Sequence, residues 1–165
     1  ETIGNAEVVK PKPEPSVPVT TYAPDEPQAE KRLMRILAAE DNRTNQLVFR
    51  KMVQKLNIKL KFANNGLEAV EGFTAFKPDL IFMDISMPKM DGKEATIEIR
   101  KLEAGTGQHV PIVALTAHAM TGDSDGILAA GLDHYLTKPL RKALIHERIF
   151  VSAPKDADPV QPPDA

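Results

Sequence analysis

The chain has 165 residues, 42% of them hydrophobic, and a formal net charge of -2. This length corresponds to about one domain, and the small net charge gives no long-range field that would favour nucleic acid or an anionic membrane. The absence of cysteine excludes disulfides, thiolate chemistry and cysteine-based metal sites. No apolar run reaches the roughly 18 residues of a membrane span, and there is no signal-peptide pattern. Because the first residue is Glu1 rather than methionine, we expect a piece of a longer protein.

Prolines divide the chain into a central domain and two flanking segments. Six prolines interrupt residues 1–30 and four interrupt residues 152–165, and proline is excluded from helix interiors and central strands. We therefore expect a disordered linker over 1–30, a folded domain over 31–151 and a disordered tail over 152–165. The linker should be extended and partly polyproline II, and a proline-rich ligand for a partner domain is the alternative.

Apolar strands alternate with amphipathic helices inside the domain. The predicted strands cover residues 33–39, 59–63, 80–84, 112–116 and 134–137, and the predicted helices cover about 42–56, 66–76, 93–102, 123–130 and 141–150. Asn42 is expected to cap the first helix. Five strand–helix units imply an α/β fold with a doubly wound parallel sheet and helices on both faces. The glycine fingerprint of dinucleotide-binding folds and the P-loop are both absent.

The first two helices carry apolar stripes that we expect to face the sheet. These stripes are Leu47, Val48, Met52, Val53 and Leu56 on the first helix, and Leu67, Val70, Phe73 and Phe76 on the second. The fourth predicted helix is weak, because Gly122 and Gly126 each cost about 1 kcal/mol relative to alanine in a helix. That helix should therefore be short.

One stretch, residues 80–92, combines a buried strand with a polar end. Its apolar run ends abruptly at Asp84, and an Asp91-Gly92 turn closes it. A short apolar run bounded by turn signals is typical of a strand buried on both faces of a parallel sheet. A carboxylate at the carboxyl end of such a strand points into the crevice where α/β sheets bind ligands. We interpret Asp84 as a nucleophile that accepts a phosphoryl group.

Polar groups follow four of the five predicted strands and should meet at one rim of the sheet. They are Glu40, Asp41, Asp84, Thr116 and Lys138. Two carboxylates about 4 Å apart repel by roughly 4 kcal/mol at an effective dielectric of 20, so three of them need a cation or raised pKa values. Oxygen-only ligation suits Mg²⁺. An ammonium and a hydroxyl could hold phosphoryl oxygens, which is what phosphoryl transfer requires.

Each of these residues also has a purely structural interpretation. Asp84 could be a strand-end turn residue, Thr116 a β-branched strand residue, Lys138 a solvated lysine, Tyr135 a fixed core residue with a wet hydroxyl, and Glu40 and Asp41 charges favoured by a helix dipole. The four histidines show no metal-ligand spacing. The joint placement of acids, hydroxyl and ammonium at strand ends favours the functional interpretation.

Four motifs carry a resemblance to a known family. They are AAEDN at 38–42, MDISMPKMDG at 83–92, ALTAHAM at 114–120 and LTKP at 136–139. Over about residues 33–150 the chain resembles a response-regulator receiver domain of two-component phosphorelays. The sequences MPKMDG, LTAHAM and AAGLDHYLTKP are most similar to those of receivers fused to hybrid histidine kinases. The proline-rich segment would then be a tether to the kinase core.

The resemblance implies a flavodoxin-like sheet with strand order 2-1-3-4-5 and phosphorylation of Asp84 from a phosphohistidine. Asp41, Asp84 and the backbone carbonyl of Ser86 would bind Mg²⁺, or Mn²⁺ in its place, and Glu40 would act through water. Thr116 and Lys138 would hold the phosphoryl oxygens. The resemblance further implies a bond before Pro139 that is often cis.

Two further pairs of residues are assigned by the resemblance. Thr116 and Tyr135 would form the switch, with the hydroxyl moving toward the phosphate as the aromatic ring turns inward, and the surface around the fourth helix and fifth strand would change with it. Ser86 and His118 would flank the path of the water that attacks the phosphorylated Asp84. We therefore expect His118→Ala to alter the lifetime of that phosphate severalfold.

The resemblance also implies partners and leaves alternatives open. The partner would be the dimerisation and phosphotransfer domain of a histidine kinase or a histidine phosphotransfer protein, with a weak homodimer as a possible result of phosphorylation. We expect a cytoplasmic domain without nucleic-acid or membrane contacts, whether or not the parent protein is membrane-anchored, and at most autophosphorylation and autodephosphorylation activity. The alternatives are a stand-alone response regulator, a degenerate receiver used as a binding scaffold, and a haloacid-dehalogenase-type phosphatase, which would need a second aspartate where Ser86 stands.

Overall fold

The computed structural model describes residues 32–117 and 121–160, without the side chains of residues 121–124. Within these residues five strands and five helices alternate along the chain. They are β1 (Met34–Ala39), α1 (Arg43–Val53), β2 (Ile58–Ala63), α2 (Gly66–Phe76), β3 (Leu80–Asp84), α3 (Gly92–Glu103), β4 (Ile112–Thr116), α4 (Thr121–Ala129), β5 (His134–Thr137) and α5 (Lys142–Ser152). The predicted linker over 1–30 and the end of the predicted tail, 161–165, lie outside the described residues.

The five strands form one parallel sheet in the order β2-β1-β3-β4-β5. This confirms the predicted doubly wound, flavodoxin-like topology. Two apolar cores lie on opposite faces of the sheet. One includes Ala69 of α2, Ile99 of α3 and Ile127 of α4, and the other includes Phe49 of α1 and Ile145 of α5. Helices therefore cover both faces, as predicted.

Helix α1 is rotated relative to the predicted stripe. Leu47 and Val48 are 58% and 45% exposed, so the prediction that they face the sheet is wrong. Val53 is buried as predicted, and the other buried residue of α1 is Phe49; each is 2% exposed. The Phe49 ring packs edge-on against Phe62 and Phe82, with centroids 6.2 and 5.1 Å away. These aromatic contacts bury more surface than a leucine would, and they set which face of α1 meets the sheet.

Helix α2 departs from its predicted stripe in a similar way. Leu67 is 46% exposed, contrary to the prediction, whereas the buried residues of α2 are Gly66, Ala69 and Gly72. The other three residues of the predicted stripe, Val70, Phe73 and Phe76, are partly buried against the core, as predicted. Small residues let the helix approach the sheet closely, and the large apolar residues then pack along its flank.

Residues 153–160, which follow α5 and are called the C-terminal strap here, pack against the rim of the sheet where the strands begin. Ala157 pairs with Arg32 in an isolated parallel bridge. Asn57 donates its backbone N–H to the Val160 carbonyl at 2.7 Å, and Val160 is 4% exposed within the core next to α1 and α5. The prediction of a disordered tail is therefore wrong for residues 152–160. Proline ends a helix but does not prevent an extended segment from packing.

Arg32 joins the strap to the sheet through two carboxylates. Its Nη1 and Nη2 donate to the two carboxylate oxygens of Asp79 at 2.8 and 2.9 Å, and its Nε donates to Asp156 at 3.2 Å. The hydrogen bond to Asp79 raises the pKa of Arg32. No helix of the described ranges has the length and apolar character needed to cross a membrane.

Candidate functional site

Parallel pairing brings the predicted polar residues to one rim. Ala39 at the end of β1 is in register with Met83 of the neighbouring strand β3. The next residue of each chain segment, Glu40 after β1 and Asp84 at the end of β3, therefore lies at the same edge of the sheet. Asp84 is in register with Leu115 of β4. The Lys138 N–H donates to the Thr116 carbonyl at 2.8 Å, which carries the chain after β5 to the same rim. The peptide bond between Lys138 and Pro139 is cis.

Three carboxylates converge at this rim. One oxygen from each of Glu40, Asp41 and Asp84 lies within 4.8 Å of the others. Glu40 and Asp84 are each 4% exposed, while Asp41 is exposed. Carboxylates this close and this buried repel one another strongly unless a cation lies among them. An all-oxygen donor set that is open on one side is the kind that Mg²⁺ occupies in proteins, so the residues fit that ion.

Lys138 provides a positive charge to the cluster. Its Nζ donates to Asp84 Oδ2 at 2.9 Å and to Glu40 Oε1 at 3.4 Å. Burial lowers the pKa of Lys138, but the hydrogen bond and charge of Asp84, together with the charge of Glu40, raise it above its usual value. The ammonium is therefore retained. Thr116, the last residue of β4, is also buried.

Glu40 has an unusual environment for a carboxylate. Burial raises its pKa, the Asn42 N–H bond opposes this, and the charge of Asp84 raises it further, so that the pKa ends above its usual value. Raised carboxyl pKa values near a second acid are typical of functional sites. The raised pKa reflects the free-energy cost of burying this charged carboxylate beside Asp84.

The loop after β3 frames the site. Ser86 donates its N–H to Asp84 Oδ1 at 3.0 Å, which fixes the second oxygen of that carboxylate. The Gly92 N–H donates back to the Ile85 carbonyl at 3.0 Å and closes the loop. A cavity of about 430 Å³ opens beside it, with Asp41 and Lys93 among its lining residues. The cavity is lined by Asp41 of the acidic cluster and by Ser86, whose N–H contacts Asp84.

The structure brings together most of the predicted site residues. Those at one rim are Glu40, Asp41, Asp84, Ser86, Thr116 and Lys138. Tyr135 lies in β5, 38% exposed, in register with Ala114. His118 lies outside the described residues. The geometry is consistent with the predicted roles, which stay predictions residue by residue.

Two residues near Glu40, Asn45 and Gln46, were missed by the sequence analysis, and Asn42 was predicted only as a helix cap. The Asn42 N–H and the Asn45 side-chain amide both donate to Glu40 Oε2, at 3.1 and 3.3 Å. Gln46 Nε2 donates to the Glu40 backbone carbonyl at 2.6 Å. The signal available was a run of five residues directly after the two acids that contains three amide side chains. Helix-capping preference accounts for such a run equally well, so it did not stand out.

The chain is similar to known proteins both as a family and as single relatives. The family model described as the response regulator receiver domain matches residues 36–150. Hybrid signal transduction histidine kinase I of Dictyostelium discoideum is 41% identical over 120 residues, which are 70% of this chain and 7% of that protein. Sensor histidine kinase GacS of Pseudomonas protegens is 39% identical over 110 residues, 66% of this chain and 12% of that protein. The chain thus spans a small part of these relatives.

Two solved structures extend the comparison. The receiver domain of sensor histidine kinase PA1611 from Pseudomonas aeruginosa, with a magnesium ion coordinated in its active site cleft, is 38% identical with a TM-score of 0.63, covering 70% of this chain and 93% of that one. The receiver domain of Saccharomyces cerevisiae Ssk1, crystallised with the histidine phosphotransfer protein Ypd1, is 34% identical with a TM-score of 0.65, covering 72% and 88%. The fold, the rim of acids and these matches agree: the chain belongs to the response regulator receiver domain family.

Proposed function

We propose that this receiver accepts a phosphoryl group on Asp84 from a phosphohistidine, in a reaction that depends on Mg²⁺. The observation that carries the proposal is the Lys138 ammonium 2.9 Å from Asp84 within a cluster of three carboxylates. Burying the like charges of Glu40 and Asp84 side by side costs free energy unless a cation compensates it, and such perturbed groups cluster at functional sites. The magnesium-bound relative from Pseudomonas aeruginosa supports the choice of ion.

The proposed step forms one bond and breaks one. A carboxylate oxygen of Asp84 attacks the phosphorus, the phosphorus–nitrogen bond of the donor breaks, and the released imidazole takes a proton from solvent. Lys138 pairs with a phosphoryl oxygen in place of its present contact with Asp84, and Thr116 donates its hydroxyl to another. Asp41, Asp84 and the Ser86 carbonyl would bind the Mg²⁺, with Glu40 acting through water. When bound, the ion neutralises charge that would otherwise repel the phosphoryl group.

Phosphorylation is proposed to switch Thr116 and Tyr135. Thr116 ends β4, and Tyr135 lies in the adjacent strand, in register with Ala114 two residues before Thr116. Tyr135 is 38% exposed, so its ring has an outward position from which it could turn inward. Movement of the Thr116 hydroxyl toward the phosphate would leave space for the ring. The surface formed by α4 and β5 would change as a result.

Ser86 and His118 are proposed to set the lifetime of the phosphate. Ser86 donates its backbone N–H to Asp84 and is itself exposed. His118 is two residues beyond Thr116 in the chain. We expect His118→Ala to change the half-life of the phosphorylated form severalfold, whereas His134→Ala, at an exposed position of β5, should leave it unchanged. Decay of purified phosphorylated protein measures both. Equal half-lives would contradict the role of His118.

The partner is proposed to be a histidine phosphotransfer protein or the dimerisation and phosphotransfer domain of a kinase. The relatives named above are hybrid or sensor kinases. They support the proposal that this receiver belongs to a cytoplasmic part of such a kinase, without contacts to nucleic acid or membrane. A stand-alone response regulator is the alternative for the parent protein. Any homodimer formed on phosphorylation is expected to be weak.

The test is phosphorylation of the full chain by acetyl phosphate. Intact-mass spectrometry should detect one added phosphoryl group in the presence of Mg²⁺ and none after chelation. Asp84→Asn should remain unmodified, while Asp91→Asn, a cap of α3 on the same loop, is the matched control and should be modified. Beryllofluoride with Mg²⁺ should shift the ring resonances of Tyr135. A degenerate scaffold would show neither the modification nor the shift.

A further inference from the structure

Amide side chains of α1 surround Glu40, and the proposed reaction does not use them. Asn45 Nδ2 donates to Glu40 Oε2 at 3.3 Å, and Gln46 Nε2 donates to the Glu40 backbone carbonyl at 2.6 Å. We propose that Asn45 and Gln46 are positioning residues for the metal site, holding the Glu40 side chain and backbone so that the carboxylate faces Asp84 and Lys138. This inference rests on the proposed Mg²⁺ dependence.

The two oxygens of Glu40 have different partners. Oε2 accepts both donors from α1, the Asn42 N–H at 3.1 Å and the Asn45 amide. Oε1 receives no donor from α1 among the described contacts and lies 3.4 Å from Lys138 Nζ. Since Glu40 is 4% exposed, water has little access to replace a lost donor. Hydrogen bonds to a charged, buried acceptor are among the stronger ones. Removing the Asn45 amide should therefore let the carboxylate turn.

Gln46 acts on the backbone rather than on the carboxylate. Besides the Glu40 carbonyl, its Nε2 reaches Asn64 Oδ1 at 2.9 Å. Asn64 in turn donates its N–H and its Nδ2 to Glu68 Oε1, at 2.9 and 3.0 Å. A chain of hydrogen bonds thus joins the end of β1 to the loop before α2. Because Asp41 follows Glu40 directly, fixing this backbone also fixes the second acid.

The position of these residues on α1 explains the division of roles. Asn42 caps the helix, because its side-chain oxygen accepts the Asn45 N–H at 3.0 Å. Asn45 and Gln46, three and four residues after the cap, lie in the first turn of the helix. Asn45 and Gln46 are adjacent there, so one can reach the carboxylate and the other the carbonyl of the same glutamate. Outer contacts of this kind typically change metal affinity by about 10- to 100-fold when they are removed.

The competing explanation is that these amides only stabilise α1. Asn45 is exposed, and alanine has the higher helix propensity, so Asn45→Ala should not unfold the helix. A loss of metal affinity in that variant would therefore come from Glu40 and not from a weakened fold. Asn57→Ala is the matched control, because it removes an amide–carbonyl bond at the C-terminal strap, to Pro159 at 3.2 Å.

Mg²⁺ binding to the unphosphorylated full chain, measured by calorimetry, tests the proposal. We expect Asn45→Ala to weaken binding about tenfold and Asn57→Ala to leave it unchanged. In a Glu40→Gln background Asn45→Ala should have no further effect, because it acts through that carboxylate. Gln46→Ala should still weaken binding there, since it acts through the backbone that carries Asp41.

The outcomes separate this inference from the proposed function. Unchanged affinity in Asn45→Ala, or an equal loss in the Glu40→Gln background, overturns the positioning role of Asn45, and unchanged affinity in Gln46→Ala overturns that of Gln46. In these cases the wild-type chain still binds Mg²⁺ and is still phosphorylated by acetyl phosphate. A wild-type chain that binds no Mg²⁺ overturns the proposed function and the positioning roles together.

Discussion

Gly66 lies where two loops at the rim of the site touch. Its N–H donates to the Met90 carbonyl at 2.9 Å, and a Cβ at this position would overlap that carbonyl. Met90 belongs to the loop that also carries Ser86, next to Asp84. The contact therefore fixes the position of a loop that the proposed metal ligands need. Any side chain at residue 66 has to push this loop or the start of α2 away.

We predict that Gly66→Ala lowers the free energy of unfolding by about 1–3 kcal/mol, the usual cost of overpacking. The matched control is Gly126→Ala inside α4, where the added Cβ would lie 3.1 Å from Lys93 Nζ, the end of a flexible side chain. There the gain in helix propensity, about 1 kcal/mol, should leave the protein as stable or more stable. Denaturant unfolding measures both variants. A Gly66→Ala protein as stable as wild type would contradict the loop contact.

Single residues of the site differed in how well the sequence predicted them. Asp84 and Lys138 could be identified because each ends or follows a parallel strand, and strand ends of one sheet meet at one rim. Asn45 could not, because its contact with Glu40 depends on the rotation of α1 about its axis. Residue spacing alone does not fix that rotation when a helix has apolar residues on more than one side.

Helix α1 presents an apolar and basic surface to solvent. Leu47 and Val48 are exposed, and residues 42–67 contain six lysines and arginines but no acid. The first turn of the helix contacts Glu40, so this surface is close to Asp84. Exposed apolar residues within a charged surround are typical of protein interfaces. We expect the phosphodonor protein to contact this part of α1.

We predict that Leu47→Ser slows phosphoryl transfer from a protein donor but not from acetyl phosphate. A loss of about 1.4 kcal/mol at an interface corresponds to about tenfold in affinity. Phosphorylated Ypd1, the partner of the related Ssk1 receiver, is a suitable donor. Leu102→Ser, 49% exposed at the far end of α3, is the control and should transfer normally. Equal slowing with acetyl phosphate would indicate damage to the site instead of lost docking.

The existence of α1 was predictable, but its orientation was not. The predicted stripe placed Leu47 and Val48 inward because they follow helical spacing with Met52 and Val53. Phe49 belongs to the same apolar stretch of the sequence. Its contacts with two aromatic rings of the sheet decide which face of α1 is buried. Such a choice depends on tertiary partners that lie 13 and 33 residues further along the chain.

The whole domain extends beyond α5 through the C-terminal strap. Val160 is buried in the core beside α1 and α5, and Arg32 contacts both the strap and Asp79. Alternation of strands and helices predicted the rest of the fold, because each unit must bury its apolar face. The strap has neither helical nor strand periodicity, and a single buried valine among prolines carries no pattern. The sequence therefore could not indicate that this segment is part of the domain.

We predict that Val160→Ser lowers the free energy of unfolding by about 2 kcal/mol, since burying a valine side chain contributes about 1.5–3 kcal/mol. Val151→Ser is the control, because Val151 is 68% exposed on α5 and should change stability by less than about 0.5 kcal/mol. Denaturant unfolding measures the difference. Phosphorylation by acetyl phosphate should persist in both variants, because the strap is remote from Asp84. Equal stability of the two variants would mean that Val160 is not packed in solution.

The bridge between Arg32 and Ala157 places the entry and the exit of this domain side by side. Both lie where the strands begin, whereas Asp84 lies where they end. The two ends of the described domain therefore lie on the opposite side of the sheet from the three carboxylates. Neighbouring ends of this kind are the geometry that lets a folded domain tolerate insertion between other segments of a chain.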